Sequence, residues 1–262
     1  MMSQTNIENK QIKTISINGN FQNINNTYYP CSKIESGCLG NYCSQVDSTK
    51  PIGPKYNGFN IGYDYLGLPN SKKRRFNIGI NLQIDNYVNK INNKYYTNIH
   101  PYIGYKGNLI SLRGGIHVGT IFTNSVKLGS TSSFLPSFRF QIGQENHSPV
   151  SIRFSFYDDE LFYATQSTSS AYLQFHPKYL DSRLFNSIGV GYSNYINNTG
   201  GSVLYCNVDM NLYKNLSANL FFGGISVFTD KGHKDGNTFG LGLKYKIYSD
   251  KQEEVETLNQ NN

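Results

Sequence analysis

The stretch Val203–Gly224 reads VLYCNVDMNLYKNLSANLFFGG, and it decides the fold. Leu204, Cys206, Val208, Met210 and Leu212 alternate with Tyr205, Asn207, Asp209, Asn211 and Tyr213. The alternation breaks at Lys214-Asn215 and resumes with Leu216, Ala218, Leu220 and Phe222. Successive side chains of a strand point to opposite faces. The stretch is therefore predicted as strand, tight turn, strand, with one apolar and one polar face. What remains is which face meets water.

The same period of two runs through the chain. It predicts strands near 12–20, 57–66, 74–86, 95–105, 109–121, 134–143, 149–157, 170–178, 184–194, 202–213, 215–227 and 237–248. The first has the weakest pattern, so the expected number is about 12, within 10–12. No segment carries a helical period. The connections alternate in length. One set is short: 67–73, 106–108, 144–148, 179–183 and Lys214. The other is mostly longer: 21–56, 87–94, 122–133, 158–169, 195–201 and 228–236. Successive connections of an antiparallel meander fall at opposite ends, so one end is expected to carry turns and the other loops.

Composition narrows the setting. Charged residues make up 16% of the 262, against about a quarter in a typical soluble domain. Polarity comes instead from Asn, Ser, Thr, Gly and 21 Tyr. The Tyr, with 16 Phe, argue against disorder. No window approaches 18 uncharged apolar residues, which excludes a transmembrane helix. The net charge of +7 is scattered apart from Lys72-Lys73-Arg74-Arg75, and no nucleic-acid partner is expected.

The apolar face is continuous: Phe76, Ile78, Ile80, Leu82 and Ile84 in one strand, Phe239, Leu241, Leu243, Tyr245 and Ile247 in another. Charge is almost absent from it. In a soluble barrel this face would point inward, but twelve strands enclose more space than such side chains fill, since roughly eight already suffice. In a membrane barrel it faces lipid and the polar face lines the lumen. The fold class is thus all-β: a single antiparallel up-and-down transmembrane β-barrel, with short periplasmic turns, longer extracellular loops, and lipid as its partner. Aromatics at strand ends (Tyr95-Tyr96, Phe122, Phe134, Tyr192, Tyr195, Phe228, Tyr245, Tyr248) suit interface girdles.

On the polar face, Arg113, Arg139, Arg153, Asp209 and Lys244 each lie about four residues from the short-turn end, with Gln174 and Asn219 at that level. They form a belt that is either an anion-preferring constriction or an internal network. Asp209, Asp64 and Asp85 are the expected partners, because buried charges need them. His100, His117 and His176 also fall on this face, without the spacing of a metal site, and no cofactor is expected. No G-x-S-x-G elbow and no phosphate-binding loop occurs. Cys31, Cys38 and Cys43 lack zinc-site spacing; one disulfide among them would leave an odd thiol.

The segments IHPYIGYKGNLISLRGGIHVG (99–119), LPSFRFQIG (135–143), FNSIGVGYSN (185–194) and NTFGLGLKYKIY (237–248) resemble small, uncharacterised outer-membrane β-barrel proteins of Gram-negative bacteria. The resemblance covers about residues 57–249 and is one of pattern. It implies a non-enzymatic envelope role as a scaffold, a narrow pore or an adhesion surface, with other envelope proteins as candidate partners. The start, MMSQTNIENKQ, has no apolar core, so this placement supposes a signal peptide removed or upstream. Residues 1–11 and 250–262 read as flexible tails around a barrel over 12–249, with 21–56 as its long Cys-bearing loop. Two other classes compete: a soluble β-sandwich or β-barrel binding protein, and a membrane-embedded lipid hydrolase.

Overall fold

The computed structural model describes residues 10–24, 55–70, 74–88, 93–120, 132–144, 147–158, 167–176, 184–195, 201–229 and 232–249. They form twelve strands: β1 Gln11–Ile24, β2 Lys55–Leu66, β3 Arg75–Val88, β4 Asn93–Lys106, β5 Ile110–Thr120, β6 Ser132–Ile142, β7 Val150–Phe156, β8 Ser167–Phe175, β9 Phe185–Tyr195, β10 Gly201–Tyr213, β11 Leu216–Thr229 and β12 Gly232–Ser249. Each pairs antiparallel with its neighbours in sequence, and β12 pairs with β1 to close a barrel. Closure leaves no sheet edge, so every strand finds backbone partners on both sides.

The register fixes the tilt. The row of cross-strand partners that leaves β1 at Ile12 passes Leu66, Asn77, Gly104, Arg113 and Arg139. It continues through Ser155, Ser170, Ser193, Val203, Ile225 and Gly236 and returns to β1 at Ile24. The row climbs about one residue per strand, which requires strands inclined to the axis, typically by roughly 35–45°.

The connections 67–74, 107–109, 143–149, 176–184 and 214–215 lie at one end, which also holds the start of β1 and the end of β12. At the other end 25–54, 121–131 and 157–166 are long, while 89–92, 196–200 and 230–231 are short. The loop expected over 228–236 is a correction. Val227, Phe228 and Thr229 continue β11 and pair with Lys234, His233 and Gly232. Their mixed composition hid the pairing from a count of alternating residues. Cys31, Cys38 and Cys43, with the long segment that bears them, lie outside the described residues.

The burial pattern shows that the apolar face is turned outward. Large apolar side chains stand exposed on the outer wall all the way round, among them Ile17, Phe59, Ile78, Ile103, Phe154, Val190, Phe222 and Leu241. A soluble monomer exposes apolar patches of only a few hundred Å²; this surface is a continuous band. Tyr95, Phe134, Tyr192 and Tyr245 project from it, whereas Tyr248 falls in the inward set.

The inner face is filled by a device of its own. Tyr102 lies over Gly79, Tyr172 over Gly189, Tyr205 over Gly191 and Phe221 over Gly240, each ring occupying the place a Cβ would take on the adjacent strand. Tyr172, Val203, Tyr205, Phe221 and Ile225 form a buried apolar cluster. The polar face is therefore not polar throughout, because rings laid flat on glycines fill an interior too wide for short side chains.

Candidate functional site

Tyr157 carries the site. It follows β7 directly and has φ 51°, a left-handed conformation uncommon for a residue with a side chain. That kink ends the strand and turns the chain into the lumen. Its carbonyl oxygen lies 2.8 Å from His117 Nε2. The next residue, Asp158, is 3% exposed and sits between two arginines.

Arg113 and Arg139 are direct cross-strand partners on β5 and β6. Arg113 Nε donates to Asp158 Oδ2 at 2.7 Å, and its Nη2 pairs with Oδ1. Arg139 Nη2 donates to Asp158 Oδ1 at 3.0 Å and to its backbone oxygen at 2.7 Å. The Arg113 guanidinium also lies 4.1 Å from the Tyr102 ring centroid, a cation–π placement. Burial alone would raise the Asp158 carboxyl pKa; Arg113 and Arg139 outweigh it and hold the group well below the usual carboxylate range.

Hydrogen bonds extend this centre through the wall. Tyr102 Oη donates to Asp64 Oδ2 at 2.8 Å, and Asn77 Nδ2 donates to Asp64 Oδ1 at 2.7 Å. His100 and His117 stack with centroids 3.9 Å apart. His100 Nε2 lies 2.7 Å from Ser137 Oγ, and His117 Nδ1 lies 3.1 Å from Asn98 Oδ1. Gly115 faces this group, where a Cβ would meet His100 Nε2 at 2.6 Å. On the far wall Asp209 accepts from Ser187 Oγ at 2.8 Å and Asn219 Nδ2 at 2.6 Å.

The five belt residues all belong to the inward-facing set. With the climb of the row allowed for, Arg113, Arg139, Arg153, Asp209 and Lys244 lie near one height. Their contacts differ from expectation. The acid between the arginines is Asp158, from a segment read as loop, and not Asp209 or Asp64, which are held by neutral donors. The Asp85 side chain lies outside the described residues. Arg153 stands opposite Gln141, with its guanidinium 4.6 Å from the Tyr172 ring centroid. Tyr172 Oη in turn donates to Asn207. His176 Nε2 lies 3.1 Å from Ser151 Oγ, far along the wall from the other two histidines. Among the described residues no cluster of three His, Cys, Asp or Glu could hold a metal ion. The sequence did contain one signal for Asp158: the run Tyr157-Asp158-Asp159-Glu160 directly follows an arginine-bearing strand.

No family model matches the chain, and no curated protein matches it in sequence. Solved structures do. An outer-membrane channel from Pseudomonas putida F1 superposes with a TM-score of 0.56 at 6% identity, covering 90% of this chain and 95% of that one. The β domain of the Bordetella autotransporter BrkA gives 0.46 at 11% identity, covering 90% and 99%. The translocator domain of the Neisseria meningitidis autotransporter NalP gives 0.45 at 9%, covering 90% and 88%. The P. putida channel is the likeness that counts, and it shows that this chain has the closed antiparallel β-barrel fold of outer-membrane proteins.

Proposed function

We propose that the protein is a non-enzymatic β-barrel of the bacterial outer membrane, with lipid against its apolar wall and an interior held shut by its own side chains. Its turn end would face the periplasm and its loop end the exterior, the asymmetry usual for such barrels. Its role is then structural: a scaffold or surface rather than an open porin. One observation carries the closed interior. Asp158, beyond the end of β7, is drawn between Arg113 and Arg139, so the chain itself fills the lumen at the belt. Burial of inward residues round the wall supports it, from Asn20 and Asn98 to Ser187 and Asn207. Two Ser–His contacts, Ser137–His100 and Ser151–His176, are the geometric features in favour of a hydrolase among the described residues. All four residues are buried in the interior, and His100 is stacked on His117, so both pairs belong to the packing.

Planar-bilayer recording of the purified protein tests this. A closed interior predicts no steady conductance from the wild type, with lower stability in an Arg139→Ala variant. A steady, anion-selective conductance that falls in that variant would mean the belt lines a pore.

A further inference from the structure

Two cations stand on the outer wall at the turn end, at the edge of the apolar band. Lys13 on β1 and Arg74, immediately before β3, belong to the outward-facing set with Ile15 and Phe76, and both are exposed. Lys13 is the cross-strand partner of Tyr65 on β2. The Arg74 guanidinium lies 5.8 Å from the ring centroid of Tyr105 on β4, a placement that attracts the cation without neutralising it. With the climb of the row allowed for, Lys13, Tyr65, Arg74 and Tyr105 lie near one height on neighbouring strands. No carboxylate among the described residues pairs with Lys13 or Arg74. The two cations are two strand spacings apart, roughly 10 Å, so their long side chains can meet at one anion.

Toward the middle of the wall the outer face carries a groove. Gly114 on β5 points outward with Leu112 and Ile116, and a Cβ there would meet only the Ser137 carbonyl oxygen, at 3.9 Å. Gly79 and Gly191 on the inner face are covered by tyrosine rings, whereas Gly114 is left open. Its cross-strand partners Ile103 and Phe138 stand exposed on either side. With Phe76, Tyr105 and Leu112 they bound a groove of about 330 Å³. Tyr105 belongs to both features: Arg74 lies over its ring, and the same residue bounds the groove. A cationic head site that runs into an apolar slot fits an amphiphile with an anionic head. We propose that this face binds one anionic glycerophospholipid, with its phosphate between Lys13 and Arg74 and an acyl chain in the groove over Gly114. A zwitterionic lipid fits less well, because neither cation has a carboxylate beside it to meet an ammonium. The proposal rests on the reading that lipid covers the apolar wall, and it adds a preferred lipid and a seat for it.

Native mass spectrometry of the full chain released from detergent micelles tests it, after titration with phosphatidylglycerol or with phosphatidylcholine of the same acyl chains. Retention of one phosphatidylglycerol should exceed that of phosphatidylcholine by at least about tenfold, the order expected of two interfacial cations. The preference should disappear in the K13Q/R74Q variant. Gly114→Leu, which fills the groove, should weaken retention of both lipids several-fold. Equal retention of the two lipids by the wild type overturns the proposal. So does an undiminished preference in K13Q/R74Q, or undiminished retention in Gly114→Leu. Heat-modifiable gel mobility on the same samples reports the barrel separately: a shifting band without lipid preference sinks the site alone, and a band that does not shift, from protein that stays dispersed without detergent, sinks the lipid-wall reading.

Discussion

Arg113 and Arg139 stand directly opposite one another across β5 and β6, and a single carboxylate, Asp158, answers both. Two guanidiniums facing each other on a sheet would repel. The carboxylate converts that repulsion into a clamp, and it arrives from outside the strands because Tyr157 turns the chain inward. The clamp thus holds the barrel wall and the inturned segment at once.

Asp158→Asn should be among the most damaging single changes. Removing one partner of a buried ion pair costs about 3–5 kcal/mol, and here two arginines lose it. Urea unfolding of the refolded barrel in detergent would measure the loss. Because the folded pKa is depressed, the gap between wild type and variant should be full above the unfolded-chain value of about 3.9. It should shrink only as the pH falls below that. A gap that closes between pH 7 and pH 5 would contradict the clamp.

Gly79→Ala and Gly191→Ala should each destabilise by about 1–3 kcal/mol, because the added methyl meets the Tyr102 or Tyr205 ring. Gly224→Ala is the control, since a Cβ there meets nothing within 4 Å. Equal unfolding midpoints for all three variants would show that the rings do not seat on the glycines.

Leu241→Arg places a charge on the outer wall, where Leu241 is 46% exposed. In a bilayer this costs about 2–4 kcal/mol near the midplane, so the folded yield in lipid vesicles should drop. Asn219, inward on the neighbouring strand and 4% exposed, separates the two environments: Asn219→Leu should leave vesicle insertion intact while removing a donor to Asp209. Unimpaired insertion of Leu241→Arg would argue against lipid on that face.

Much of the barrel was legible in the sequence, and the reason is local. Period-two alternation marks a strand with two unlike faces, so Phe76 to Ile84 and Phe239 to Ile247 declared their outward sets without tertiary information. Arg113, Arg139 and Arg153 fell on the inner set by the same rule. What stayed hidden depended on geometry between strands. Tyr102 over Gly79 needs the β3–β4 register, and nothing in either strand alone pairs them. Asp158 depends on the backbone conformation of one residue, Tyr157, which alternation does not encode. The closing strands were cut short because Gly232 to Lys234 carry no apolar period, although they pair with β11.

Spin labels placed singly along β12 in the lipid-reconstituted protein test whether the apolar wall faces lipid. Labels at Leu241, Leu243 and Tyr245 should be accessible to oxygen and shielded from a water-soluble nickel relaxant. Labels at Gly242 and Lys244, on the inward set, should show neither strong oxygen access nor lipid-like mobility. Accessibility should therefore alternate along β12 with a period of two. Equal exposure of Leu241 and Leu243 to the nickel relaxant would contradict it, because the apolar wall would then face water.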